Sequence, residues 1–151
     1  MLGIAAVIAA AAVPVFSNLV LESRMNAAVS TTLHAVNLAR QFSATRSQSV
    51  SLCGIGATDG CSASLDWSAG YLLTGEPDRY RHRLGLPGAG GPRIRSNRLT
   101  LDFEAGTGFA TPATVTLCDR RGTRAARAVI VSRSGRPRSS ARDASDRALS
   151  C

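Results

Sequence analysis

The stretch Ile4-Ala5-Ala6-Val7-Ile8-Ala9-Ala10-Ala11-Ala12-Val13 is apolar on every face of a helix, and no charge occurs between Met1 and Leu21. Such a segment belongs in lipid or in a protein core, since it leaves no polar face for water. As a helix, residues 1–21 span roughly 31 Å at about 1.5 Å each, close to the thickness of a bilayer's hydrocarbon layer. Pro14 removes one helical hydrogen bond and bends the axis, which membrane helices tolerate better than soluble ones. A cleaved signal peptide normally opens on positive charge, whereas the first cation here is Arg24, beyond the apolar run.

The helical pattern continues past that point. Met25, Val29, Leu33, Val36 and Ala39 or Arg40 recur at steps of three and four, while Glu22, Ser23, Asn26, Ser30 and Asn37 fall mostly elsewhere. The sequence therefore predicts one long helix ending near Arg46, with an apolar half over 1–21 and an amphipathic half over 22–47. From 48 to 151 the texture changes to short apolar runs broken by Gly, Pro, Ser and Asp, the pattern of strands and turns. Strands are predicted at Val50–Cys53, Gly70–Thr74, Leu99–Phe103, Thr114–Cys118 and Ala128–Ser132, and a mobile loop at Leu86–Pro92. Leu99, Leu101 and Phe103 alternate with Thr100 and Asp102, which gives the sheet one apolar face. The amphipathic half of the helix is the sizeable apolar surface available to cover that face. The fold class is then α+β, a helix laid on an antiparallel sheet.

The chain has 151 residues, 44% hydrophobic and 19% charged, enough for one modest domain with a core and too few for a large multidomain enzyme. Four cysteines behind an apolar start fit an oxidising compartment. Cys53 and Cys61 flank a turn-rich loop that a disulfide can staple, and a Cys118–Cys151 bridge would tie down a frayed end. Four cysteines permit three pairings; this one is preferred, and the other two stay open.

Catalytic chemistry finds little to hold. His34 falls in the helix and His82 in an arginine-dense stretch, neither beside a ligand or nucleophile partner. Gly85, Gly88, Gly90 and Gly91 fit no phosphate-loop fingerprint, and Asp66 beside Trp67 has no second acid nearby. The sequence reads as a non-enzyme with no metal site and no cofactor.

Charge is more informative. The net +8 comes from 18 arginines, with no lysine, against 10 acids, and it is regional. Arg79 to Arg142 holds fourteen arginines against three acids, whereas the flanking stretches are slightly acidic. Arg79, Arg81 and Arg83 alternate with Tyr80 and His82, so in an extended conformation they project from one face; Arg93, Arg95 and Arg98 follow. Arg120, Arg121, Arg124 and Arg127 crowd a connection between two strands. Arg133, Arg136, Arg138 and Arg142 come last, the middle pair inside Ser134-Gly135-Arg136-Pro137-Arg138, where Gly135 allows a turn and Pro137 stiffens the backbone. A guanidinium already oriented loses less entropy on gripping a phosphate. Aromatic residues are scarce near these cations, so the partner predicted is the backbone of double-stranded DNA, bound without sequence preference, rather than a stacked single strand.

Several blocks together resemble the type IV pilin-like proteins, and within them the GspH/FimT minor pilins. They are Ala5-Ala6-Val7-Ile8-Ala9 through Val13-Pro14, Asn37-Leu38-Ala39-Arg40, and Ser51-Leu52-Cys53 to Cys61 with Asp66-Trp67-Ser68-Ala69-Gly70-Tyr71. Thr116-Leu117-Cys118-Asp119 and Ile130-Val131-Ser132-Arg133-Ser134-Gly135-Arg136-Pro137-Arg138 complete the set. The resemblance implies a type IV pilin-like fold and a single-pass inner-membrane precursor with a periplasmic domain. It also implies assembly into an extracellular pilus, helix against the helices of other major and minor pilins. In FimT-like members a Gly-Arg-x-Arg segment is associated with binding DNA in natural transformation, and the matching positions are Gly135, Arg136 and Arg138. Precursors of the family carry a short basic leader ending in Gly and then Phe-Thr-Leu-x-Glu; this sequence opens at Met1-Leu2-Gly3, inside the apolar run, so that motif is to be sought in the upstream reading frame. The alternative is a structural minor pilin or type II secretion pseudopilin that primes a filament and touches no DNA. A secreted hydrolase is disfavoured by the missing site.

Overall fold

The computed structural model describes the backbone of residues 2–58, 60–75, 80–85 and 90–151, with side chains from Phe16 onward. Helix α1 runs unbroken over Leu2–Arg46. Eight strands follow: β1 Val50–Gly54, β2 Tyr71–Gly75, β3 Tyr80–Leu84, β4 Arg93–Ser96, β5 Thr100–Phe103, β6 Ala113–Cys118, β7 Arg127–Val131 and β8 Pro137–Ser140. They form two antiparallel sheets of four strands, ordered β3-β2-β1-β5 and β4-β6-β7-β8, where the sequence had suggested one sheet. The chain crosses between the sheets after β5 through Gly106 and Gly108, both at positive φ. A second link comes from the segment ahead of β2. Trp67 N–H donates to the Ile94 carbonyl at 2.9 Å and Ser96 N–H to the Leu65 carbonyl at 2.9 Å, so Leu65–Trp67 covers the open edge of β4.

The helix lies over both sheets. Met25, Thr32, Ala35, Val36, Ala39 and Ser43 are buried, with Val29 and Leu33 half-buried at the flanks. The seam is thus rotated from the predicted Val29–Leu33 line toward smaller side chains, which let the backbone approach the strands closely. Thr32 makes this tolerable: its hydroxyl donates to the Ala28 carbonyl at 2.8 Å and lies 2.5 Å from the Tyr71 phenol oxygen. Burial pushes the Tyr71 phenol up to about 12, only partly opposed by the Thr32 hydrogen bond, so it stays protonated. Trp67, Leu52, Leu101 and Phe103 fill the core from one side, and Ile94, Val115, Leu117 and Val129 from the other. At Gly54 a Cβ would stand 2.5 Å from Trp67 Cδ1, so the indole can lie flat on β1 only because that residue has no side chain.

The outer face of the second sheet is covered as well. Ala126, Ala128 and Ile130 pack with Leu149 of the C-terminal segment, which a Cys118–Cys151 disulfide fastens down. The other bridge joins Cys53 to Cys61. Both match the preferred pairing. Among the described residues no helix is long and apolar enough to cross a membrane, and the side chains of residues 1–15, which make up most of the apolar run, lie outside them. Residues 86–89 of the loop predicted at Leu86–Pro92 also lie outside.

Replacing Cys118 and Cys151 together by serine should lower unfolding free energy in urea by on the order of 3 kcal/mol, because the bridge closes a separation of 33 residues. The Cys53/Cys61 pair, separated by 8 residues, should cost less in the same measurement.

Candidate nucleic-acid interface

Val131 pairs with Pro137, closing β7 and β8 around the turn Ser132–Arg136. Gly135 N–H donates to the Ser132 carbonyl at 2.9 Å and Ser132 N–H to the Arg136 carbonyl at 3.1 Å. The Ser132 hydroxyl adds contacts to Ser134 Oγ at 2.9 Å and to the Arg136 carbonyl at 3.2 Å. Gly135 sits at φ 71°, and a Cβ there would collide with the Gly108 carbonyl. Arg40 Nε donates to the Ser134 carbonyl at 3.2 Å. The turn is therefore pinned to the helix from beneath and braced by its own hydroxyls.

On this mount Arg136 precedes a proline, which holds it extended, and Arg138 lies opposite Ile130 on β8, the edge strand of its sheet. Both side chains are exposed, and among the described residues neither meets a carboxylate. Two residues apart on an extended segment, they project to the same side about 6.7 Å from each other. Arg133 is exposed on the same turn and borders a shallow cavity of about 430 Å³ that also holds Asp102 and Glu104. Sequence reasoning left Arg40 undecided as a seam residue. Its role as the pin beneath the turn had no signal beyond an arginine falling on the apolar stripe.

The remaining predicted contacts lie elsewhere. Arg120, Arg121 and Arg124 occupy the connection from β6 to β7, at the other end of the strands. Arg121 Nη1 reaches Glu22 Oε2 at 2.7 Å, while its Nε and Nη2 grip Asp119 Oδ2 at 3.0 and 2.7 Å. Arg127 approaches the same Glu22 at 3.6 Å. Burial would raise the Asp119 carboxyl, but hydrogen bonds from the Arg121 side chain and backbone, with its charge, outweigh that and hold the carboxyl below its ordinary value. Arg121, with 21% of its side chain exposed, is a clamp between the hairpin and the helix and not an outward cation. Arg120 and Arg124 are exposed and form no ion pair among the described residues, although the charge of Arg120 also acts on the neighbouring Asp119. Helix positions 22 and 40, which anchor the two arginine groups, are about 27 Å apart at ~1.5 Å per residue. The predicted interface thus divides into two basic poles. Arg81 and Arg83 are exposed and engaged on β3, and Arg79 lies outside the described residues.

A family model, described as type II transport protein GspH, matches residues 28–135. The chain belongs to the GspH family. Among solved structures it is similar to the type IV minor pilin FimU of Pseudomonas aeruginosa (strain PAO1) in two crystal forms. One matches with 16% identity and a TM-score of 0.59 over 77% of this chain and 87% of that one. The other matches with 15% identity and a TM-score of 0.56 over 76% and 91%. At such identity the likeness establishes a shared fold, the long helix on antiparallel strands. No curated protein matches the sequence. GspH membership and the pilin-like fold make this a minor pilin or GspH-like pseudopilin, in a family of structural proteins. The family match ends at Gly135, so Arg136 and Arg138 follow immediately after the matched stretch.

Gly135→Ala should destabilise the protein by about 1–3 kcal/mol in urea unfolding, since both the positive φ and the Gly108 contact forbid a side chain. Asp119 has a depressed pKa in the folded state, so its contribution is present above the ordinary carboxylate value and is lost as pH falls below about 4. Melting curves of Asp119→Asn should start from a lower temperature at neutral pH and fall less than wild type on acidification.

Proposed function

We propose that this GspH-family protein is a minor pilin that binds duplex DNA through Arg136 and Arg138, with Arg133 beside them, for uptake in natural transformation. The observation that carries the reading is the pinned Ser132–Arg136 turn, which presents two guanidinium groups outward with no carboxylate among the described residues to satisfy them. Forks held in place grip phosphate with little ordering cost, and exposed serines such as Ser139 add donors for phosphate oxygens. The contact is to the sugar–phosphate backbone, so affinity falls steeply with salt and carries no sequence preference. Residues 1–21 seat the precursor in the inner membrane, and in the assembled pilus the same helix packs against those of neighbouring pilins. Arg120 and Arg124 stand at the opposite pole and contribute at most a weak long-range field.

The family match favours a second reading, a type II secretion pseudopilin that needs no DNA contact. Electrophoretic mobility shift separates the two. Wild type should retard duplexes of unrelated sequence equally, and Arg136→Gln with Arg138→Gln should remove most of the binding while circular dichroism stays unchanged. Each single replacement should lower the salt slope by about one. A wild-type protein that leaves DNA unshifted at low salt has the structural role, as a minor pilin or a pseudopilin.

A further inference from the structure

The pole at the helix's lower end is not used by the DNA reading. There α1, the Gly90–Gly91 stretch and the start of the β6–β7 connection enclose a cleft of about 630 Å³. Arg24, Arg93 and Arg120 line it, with Val20 and Leu21 on the helix side. Arg24 is held toward the cleft by a hydrogen bond from Nη1 to the Gly90 carbonyl at 3.1 Å. A Cβ at Gly90, whose φ of 81° already disfavours a side chain, would lie 2.6 Å from that same nitrogen and push the guanidinium aside. Against these three arginines the lining sets the Asp119 side chain, already held by Arg121, and the main-chain end at Cys151, while nearby Glu22 is held by Arg121 and Arg127. Arg93 has only a loose contact with Asp66 at 3.7 Å. The cleft is therefore cationic on balance.

Its height on the helix selects the occupant. Phe16 and Leu19, 68% and 65% exposed, stand on the same helix turns as the lining residues Ser17 and Val20, and the uncharged run of residues 1–21 ends within the height of the cleft. We propose that this cleft binds the phosphate of an anionic phospholipid headgroup, the acyl chains lying along the apolar helix surface beneath. The inference rests on residues 1–21 being seated in a bilayer. A soluble phosphate or a DNA phosphodiester would have no use for the exposed Phe16 and Leu19 or for the uncharged sequence that precedes them.

The test uses the full chain in mixed micelles of neutral detergent with phosphatidylglycerol and phosphatidylcholine, the lipids retained being counted by native mass spectrometry. Wild type should keep phosphatidylglycerol over phosphatidylcholine, and Arg24→Gln with Arg120→Gln should cut that preference by about fivefold for each arginine. Arg24→Lys with Arg120→Lys, which keeps the charge and loses the fork, should retain most of it. Arg136→Gln with Arg138→Gln should leave it unchanged; an equal loss there would mean diffuse charge attraction and overturn the site. Displacement by millimolar inorganic phosphate would overturn the lipid assignment in favour of a free anion. Flotation with phosphatidylcholine vesicles separates the two failures: a chain that floats without any phosphatidylglycerol preference refutes the cleft alone, and a chain that does not float refutes the bilayer seating and the cleft with it.

Discussion

Everything in the domain hangs from the contact between a helix stripe of small side chains and two sheets at once. Ala35, Ala39 and Ser43 keep the stripe narrow, and Met25 and Val36 fill the hollows between strands. Burying apolar area at about 25 cal/mol per Å² makes this the dominant favourable contribution. The Thr32–Tyr71 hydrogen bond fixes its register, since a slide along the axis would strand a buried phenol without a partner. Among the described residues neither four-stranded sheet has another helix to cover its inner face. The helix therefore does in one element what a third layer does in larger α+β domains.

How much of this the residues announce depends on where each strand lies. β1, β2, β6 and β7 were readable because central or doubly covered strands keep their apolar residues in register. β5 was readable from Leu101 and Phe103 alternating with Thr100 and Asp102. The strands without a clear signal, β3, β4 and β8, are all sheet margins. Tyr80-Arg81-His82-Arg83-Leu84 and Arg93-Ile94-Arg95-Ser96 carry arginine at alternate places, and β8 opens on a proline, so each resembles a charged loop. The division into two sheets was equally hidden, because it depends on β5 pairing back to β1 while β4 pairs with β6, partners distant in sequence. The disulfides are the pairing preferred among three, on the turn residues between Cys53 and Cys61 and the frayed end at Cys151.

The arginines divide by what lies within reach. Composition showed an excess of fourteen over three in one region, and it could not show which few were spoken for. Arg121 looks like its neighbours in sequence, yet Asp119 two residues away and Glu22 on the helix enclose it. Arg40 sits on an apolar stripe, and its reach to the Ser134 carbonyl makes it part of the scaffold under the β7–β8 turn. Arg136 and Arg138, beyond the reach of any described carboxylate, could be picked out by the proline between them and by the family resemblance.

The capped β4 edge has a further meaning in a pilin-like family, where subunits crowd against one another. An open strand margin invites another backbone to dock onto it, and stacked margins are the route to insoluble cross-β fibres. On one flank of the second sheet Leu65–Trp67 already occupies the hydrogen-bonding positions. On the other, Pro137 withholds a donor and Arg138 would face a like cation across a gap of about 4.8 Å if two copies met antiparallel. Such a subunit can be packed densely through its helix while its β margins repel one another.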